Sequence, residues 1–305
     1  MKKRLYYPRI SFQGNKKIVV QKTTYKCNNR CIFCVIPDCF SEDEKKAQPP
    51  DTSEFKKIID YYSEDGKFPD AIAFTSAEPT LRPDIRQLLE YTIKNYPYSE
   101  ISLLTNGRMF SHKKYAESFR HLFPRIGLDI PLHGPNGDVH DRLTSINKSF
   151  DQTVQGVRNI YDISPGARIN IRILVHKLNY RHLEHTIAFI VRNFPGVCSI
   201  VLIYISMIGE AKKNYSSLFL KFTDLKTPLN DILRKYKNKA PLLLFHFPYC
   251  VTNKEFWDIN AGKTLSEEQI EFPRNCSGCL MQDQCCGFWK SKYNKELFKE
   301  VVPII

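Results

Sequence analysis

The stretch KIVVQKTTYKCNNRCIFC, residues 17–34, joins two kinds of sequence without a break. It begins with KIVVQKT, apolar and β-branched enough to form a strand with buried faces. It ends by setting Cys27, Cys31 and Cys34 three and two residues apart, on the loop where that strand stops. In folds of alternating strands and helices, functional groups gather on the loops that leave the carboxyl ends of the strands. A cysteine triad in that place predicts both a fold class and the end of the sheet that carries the chemistry.

Runs of the same character recur: DAIAFT from Asp70, EISLLT from Glu100, RIGLDI from Arg125, RINIRILV from Arg168 and SIVLIYI from Ser199. Amphipathic stretches separate them. Phe150, Val154, Val157 and Tyr161 share one helical face, as do Leu183, Ile187, Ile190 and Phe194. Six strands alternating with helices predict an α/β fold with a parallel sheet, either closing toward a barrel or open and doubly wound. Each run leads into a loop of polar or unusual residues: the triad, SAEPTL from Ser76, NGRM from Asn106, PLHG from Pro131, HKLN from His176 and SMIGEAKKN from Ser206. That recurrence is the pattern of an enzyme.

Composition sets the outer bounds. The 305 residues are 42% hydrophobic, ample for a core. MKKRLYYPRI lacks the apolar centre of a signal peptide, and there is no run of eighteen apolar residues, so a cytoplasmic protein without a membrane span is expected. In that compartment ten cysteines at short spacings point to metal or catalysis rather than disulfides. The net charge of +13 is spread along the chain, which favours a solvated cationic surface over a nucleic-acid face. There is no internal repeat.

Three thiolates on one tight loop can hold three irons of a 4Fe-4S cube and leave the fourth open to a small-molecule chelator. A zinc site is the competing reading and needs a fourth ligand, such as Cys39 or a distant histidine. CNNRCIFC, SAEPTL after the second run and LLTNG from Leu103 together resemble, in order and position, the signatures of the radical S-adenosylmethionine (SAM) superfamily. The resemblance implies a partial (β/α)6 TIM-type barrel over residues 17–215, behind an N-terminal extension at 1–16. It implies that Cys27, Cys31 and Cys34 ligate a SAM-binding 4Fe-4S cluster and that the backbone around Phe33 meets the adenine. Ser76, Ala77 and Glu78 would meet the methionine amino group, with Glu78 balancing its charge. Thr105 and Asn106 would line the ribose and methionine, and Met207 and Ile208 would pass the adenine. Arg172, in the apolar run INIRILV, would take the SAM carboxylate, a structural ion pair being the alternative. Ser-Ala stands where the family has Gly-Gly, so the backbone must make the same approach with two side chains attached. The family's chemistry is reductive cleavage of SAM to a 5'-deoxyadenosyl radical, which takes hydrogen from an unactivated carbon.

A second cysteine group lies toward the other end. CSGCLMQDQCCGFW supplies Cys276, Cys279, Cys285 and Cys286, and FHFPYCV supplies Cys250. Adjacent cysteines rarely both serve one metal, so the natural tetrad is Cys250, Cys276, Cys279 and one of the last pair, taken as Cys285. The spacing resembles SPASM and twitch modules, which implies a second, auxiliary 4Fe-4S cluster in a small domain over residues 216–305. Zinc is the alternative there too. IPLHGPNGDVHD, SFDQTVQGVRNI, IRILVHK and FPYCVTNKEFWDI resemble the His-Xaa-Ser system maturases of the HxsC type. That implies a ribosomally made precursor peptide as substrate, a second radical SAM protein as partner, and an external electron donor of the flavodoxin or ferredoxin type. Cys39 and His133 are candidates for hydrogen-atom or proton transfer, against a packed thiol and a loop hydrogen bond. Other readings are a radical SAM enzyme for a small metabolite, nucleoside or tRNA base, and a basic RNA-binding protein with structural metal sites. The Glu78 and Asn106 motifs speak against the last, because a structural metal protein has no use for them.

Overall fold

The computed structural model describes residues 9–13, 16–46, 49–61, 68–263 and 267–305. Most of the extension expected at 1–16 lies outside them, apart from strand β1 (Arg9–Gln13), antiparallel to β2 (Lys16–Lys22). The chain divides into two compact units, Met1–Arg30, Val35–Pro131 and Thr144–Asn170 in the first, and Cys31–Cys34, Leu132–Leu143 and Ile171–Ile305 in the second. Cys27 belongs to the first unit, Cys31 and Cys34 to the second.

In the first unit β2 pairs in parallel with β3 (Ala71–Thr75), β3 with β4 (Glu100–Leu104) and β4 with β5 (Ile126–Pro131). The inward faces are built from alternate residues: Val19, Ile72, Phe74, Ile101, Leu103, Ile126 and Leu128 are all buried. Helices α1 (Thr52–Tyr61) and α2 (Ile85–Asn95) bury Phe55, Ile59, Leu88 and Leu89. Helix α3 (Ser149–Ile163) buries the predicted Phe150, Val154 and Val157, buries Ile160 as well, and leaves Tyr161 partly buried.

Strand β6 (Arg168–Val175) is shared between the units. The second unit holds α4 (Leu183–Asn193), which buries Leu183, Ile187 and Ile190, and β7 (Ser199–Tyr204), buried almost throughout. After it come α5 (Phe222–Tyr236) and β8 (Leu242–Phe245), which pairs with β7 in parallel. Strands taken in chain order with helices between them make the partial TIM-type barrel. The six expected parallel strands are all present, and β8 is a seventh. Its run is only four residues long and follows a lysine-rich helix end, so periodicity gives it no signal.

Candidate active site

Three loops of the first unit converge on Glu78. Ala77 N–H donates to Thr24 O (3.3 Å) and Glu78 N–H to Lys26 O (3.0 Å), which ties SAEP to the segment leading into Cys27. Glu78 caps the turn Pro79–Leu81 and is fully buried. Its carboxylate accepts from Thr80 N–H (3.1 Å), Thr80 Oγ1 (2.5 Å), Thr105 Oγ1 (2.6 Å) and Asn106 N–H (2.7 Å). Burial pushes its pKa up and these four donors pull it back; none of the groups that shift it is a cation. The structure thus brings Glu78, Thr105 and Asn106 together. Ser76, which begins this loop, has φ +111°, where glycine would be at ease.

Asn106 and its neighbour also grip the first half of the cysteine loop. Asn106 Nδ2 donates to Asn28 Oδ1 (2.6 Å), and Arg108 Nη1 donates to Asn28 O and to Asn29 Oδ1 (2.7 Å). Asn29 N–H in turn donates to Cys27 Sγ (3.3 Å). Gly107 (φ +77°) makes the turn between Asn106 and Arg108, and Gly156 lets α3 lie against the Gly107 carbonyl. Cys39 ends the single turn Ile36–Cys39 and is half-buried.

In the second unit the other half of the cysteine loop is held by backbone and amide contacts. Ile32 N–H donates to Leu143 O (3.1 Å), Asn214 Nδ2 to Ile32 O (2.8 Å), and Glu210 N–H to Cys34 O (2.8 Å). Phe33 is buried in an apolar cluster with Leu143, Ile205, Met207, Ala211 and Leu218, and Ile208 is buried beside Met207 in the chain. His133 lies edge-on to Phe33, with ring centroids 4.8 Å apart. Its Nδ1 accepts Leu174 N–H (3.2 Å), so the ring proton sits on Nε2. Burial, then His140, holds the His133 pKa well below the usual range; burial, then His133, takes His176 down to about 3. At neutral pH His133 is therefore a neutral donor. Arg172, partly buried on β6, places its guanidinium 6.0 Å from the Phe245 ring centroid.

Cys250, Cys276, Cys279 and Cys285 line one small pocket, otherwise walled by apolar groups such as Phe272, Met281, Phe288 and Val301. Cys286 is buried and lines a different cavity with His246 and Trp289. A hydrogen bond from the Cys286 thiol, opposed by burial, draws the Cys285 pKa down to about 6. Burial raises Cys250 and takes Cys276 up to about 11. Among the described residues no three His, Cys, Asp or Glu side chains are gathered closely enough for a single metal ion.

Sequence reasoning missed Arg108, although NGRM was noted, because an arginine after a turn has no periodic signature. It also missed Asn214 and His246, the latter at the end of β8 with φ +61°. Only the apolar PLLLF before His246 could have pointed to a strand end there.

Comparison with known proteins follows the same lines. The family model described as Radical SAM superfamily matches residues 22–190, more than half of the chain. Fe-coproporphyrin III synthase of Methanosarcina barkeri is 26% identical over 200 residues, covering 64% of this chain and 46% of that protein. The antilisterial bacteriocin subtilosin biosynthesis protein AlbA of Bacillus subtilis is 25% identical over 150 residues, covering 49% and 32%. The chain thus spans less than half the length of these relatives. Streptococcus suis SuiB bound to precursor peptide SuiA has a similar fold, with a TM-score of 0.57 at 13% identity, covering 76% of this chain and 49% of that one. Among the described residues no helix is long and apolar enough to cross a membrane.

Proposed function

Because the chain belongs to the radical SAM superfamily, we propose that this radical SAM enzyme modifies a ribosomally made peptide by abstracting hydrogen from one of its carbons. The observation that carries the peptide reading is that AlbA is named for bacteriocin biosynthesis and SuiB is seen with its precursor peptide. Fe-coproporphyrin III synthase supports a second reading, a small-molecule substrate. An HxsC-type maturase with a second radical SAM protein and a flavodoxin- or ferredoxin-type donor as partners remains the finer form of the proposal.

The family implies a 4Fe-4S cluster and SAM, and the donor set suits them: three cysteines on one short loop, soft ligands for iron. When bound, these groups supply one-electron cleavage of SAM and the carbon radical that follows from it. The protein's own residues bind and orient. Cys27, Cys31 and Cys34 would ligate the cluster. Glu78, a buried carboxylate among neutral donors, offers the negative charge an ammonium needs, with Ser76 and Ala77 beside it. Thr105 and Asn106 fix that carboxylate, and Arg172 would take the SAM carboxylate. Phe33, Met207 and Ile208 keep water from the nucleoside. His133, with its ring proton on Nε2, is the candidate for proton transfer.

We assign the second cysteine set, in a C-terminal domain from residue 216, to an auxiliary 4Fe-4S cluster. Its four thiols line one pocket with apolar walls, and soft thiolates suit iron-sulfur as they suit zinc, which is the competing ion. Anaerobic reconstitution with dithionite and SAM should release 5'-deoxyadenosine from the wild type and none from Cys31→Ala. A mass change in a short peptide encoded beside the gene supports the peptide reading; turnover of a porphyrin or nucleotide instead overturns it.

A further inference from the structure

We propose that Arg108 is a positioning residue that raises the reduction potential of the cluster at Cys27 by aiming one peptide group at the Cys27 sulfur. The inference deepens the radical SAM reading of this loop and rests on it. Asn28 O and Asn29 N–H belong to the same peptide unit, which is planar and trans, so its carbonyl and its amide point in opposite directions. Arg108 Nη1 donates to the carbonyl end, and the amide end donates to Cys27 Sγ at 3.3 Å. Gripping the oxygen therefore fixes where the N–H points.

The grip has several points. Arg108 Nη1 also donates to Asn29 Oδ1 at 2.7 Å, and Nε donates to Gln152 Oε1 at 2.7 Å, which anchors the guanidinium on α3. Asn106 Nδ2 holds the Asn28 side chain at 2.6 Å. Cys27 itself is exposed, so without these ties the peptide would be free to turn its amide to water. A cation on the carbonyl also polarises the amide and makes its N–H a stronger donor. Reduction of the cluster adds negative charge to its sulfurs. A donor directed at one of them stabilises the reduced state more than the oxidised one, which raises the one-electron potential. A lysine has no planar fork and holds one point at a time, so it should not substitute fully.

The test is a dithionite titration of the anaerobically reconstituted protein, followed by low-temperature EPR. The cluster in question is the one whose spectrum changes when SAM is added. In Arg108→Ala the reduced-to-oxidised ratio at the wild-type midpoint should fall about tenfold, or about 59 mV for a one-electron couple. Iron and sulfide content should stay at wild-type levels, and Arg108→Lys should recover only part of the shift. Asn29→Pro, which removes the N–H, should reproduce the shift, and Arg108→Ala should add nothing to it. An unmoved potential in Arg108→Ala, or an undiminished effect in the Asn29→Pro background, overturns the proposal while leaving the enzyme class intact. Should Arg108→Ala lose iron, the titration of Arg108→Gln, which keeps a donor but no charge, decides in the same way. A wild type that assembles no SAM-responsive cluster refutes the reading of the site, and the proposal with it.

Discussion

Replacing Gly156 by alanine sets two effects of opposite sign against each other, and the structure says which prevails. Gly156 lies in the interior of α3, where Gly→Ala ordinarily favours the helix by about 1 kcal/mol. A Cβ built there would stand 2.2 Å from the Gly107 carbonyl oxygen and 3.4 Å from Phe110 Cβ. A backbone carbonyl cannot swing aside as a long side chain could, so α3 has to move away from the turn by roughly 1 Å, an overpacking strain of about 1–3 kcal/mol. That movement also stretches the bonds between helix and turn: Thr153 Oγ1 to Asn106 O (2.9 Å), Asn159 Nδ2 to Phe110 O (2.9 Å), and Arg108 Nε to Gln152 Oε1 (2.7 Å). Leaving even one buried partner unmet costs about 1–3 kcal/mol. The net expectation is a loss of about 1–5 kcal/mol, or about 2–10 °C in Tm at roughly 2 °C per kcal/mol for a large chain. Calorimetry on Gly156→Ala measures it, with Gly166→Ala as control, since nothing lies within 4 Å of a Cβ at Gly166. A Gly156→Ala protein melting at or above the wild type would refute the close approach of α3 to Gly107.

Other perturbations test separate parts of the molecule. Ser76→Gly removes a strain of about 1–3 kcal/mol at φ +111° and adds about 0.4–1 kcal/mol of unfolded-chain entropy, so it should stabilise by about 1 kcal/mol and keep SAM cleavage. A lower urea midpoint would contradict that account. Acidification should destabilise the fold, because burial depresses the folded pKa values of His133 and His176, the latter to about 3, below an unfolded value of about 6.5. The His176 contribution is complete above pH ~6.5 and is lost as pH falls toward 3, at about 2 kcal/mol by pH 5, and that of His133 is lost in the same direction. Equal urea midpoints at pH 7 and pH 5 would exclude it. Cys285→Ser should lower the iron bound by the second cysteine set, while Cys286→Ser, in a different cavity, should leave it unchanged; the reverse in iron analysis would exchange their roles.

What was legible in the sequence was what repeats or what has a fixed spacing. Ile72, Phe74, Leu103 and Leu128 announce their strands because alternation places them on the core face, and the cysteine triad announces its loop because ligand spacing is short and local. Glu78 was legible as a residue but its surroundings were not. Thr80 is two positions away, whereas Thr105 and Asn106 reach it only because parallel strands bring the ends of β3 and β4 side by side. Arg108 is the sharper case: its partners Asn28 and Gln152 lie about eighty and forty-four residues distant, so no window of sequence contains the contact. The same limit explains His133. A histidine after a strand suggests proton transfer; which nitrogen carries the proton is decided by a single backbone amide, Leu174 N–H, and burial favours the neutral ring. Local pattern therefore marks the candidate groups. The state in which each group stands is set by partners that only the folded chain supplies.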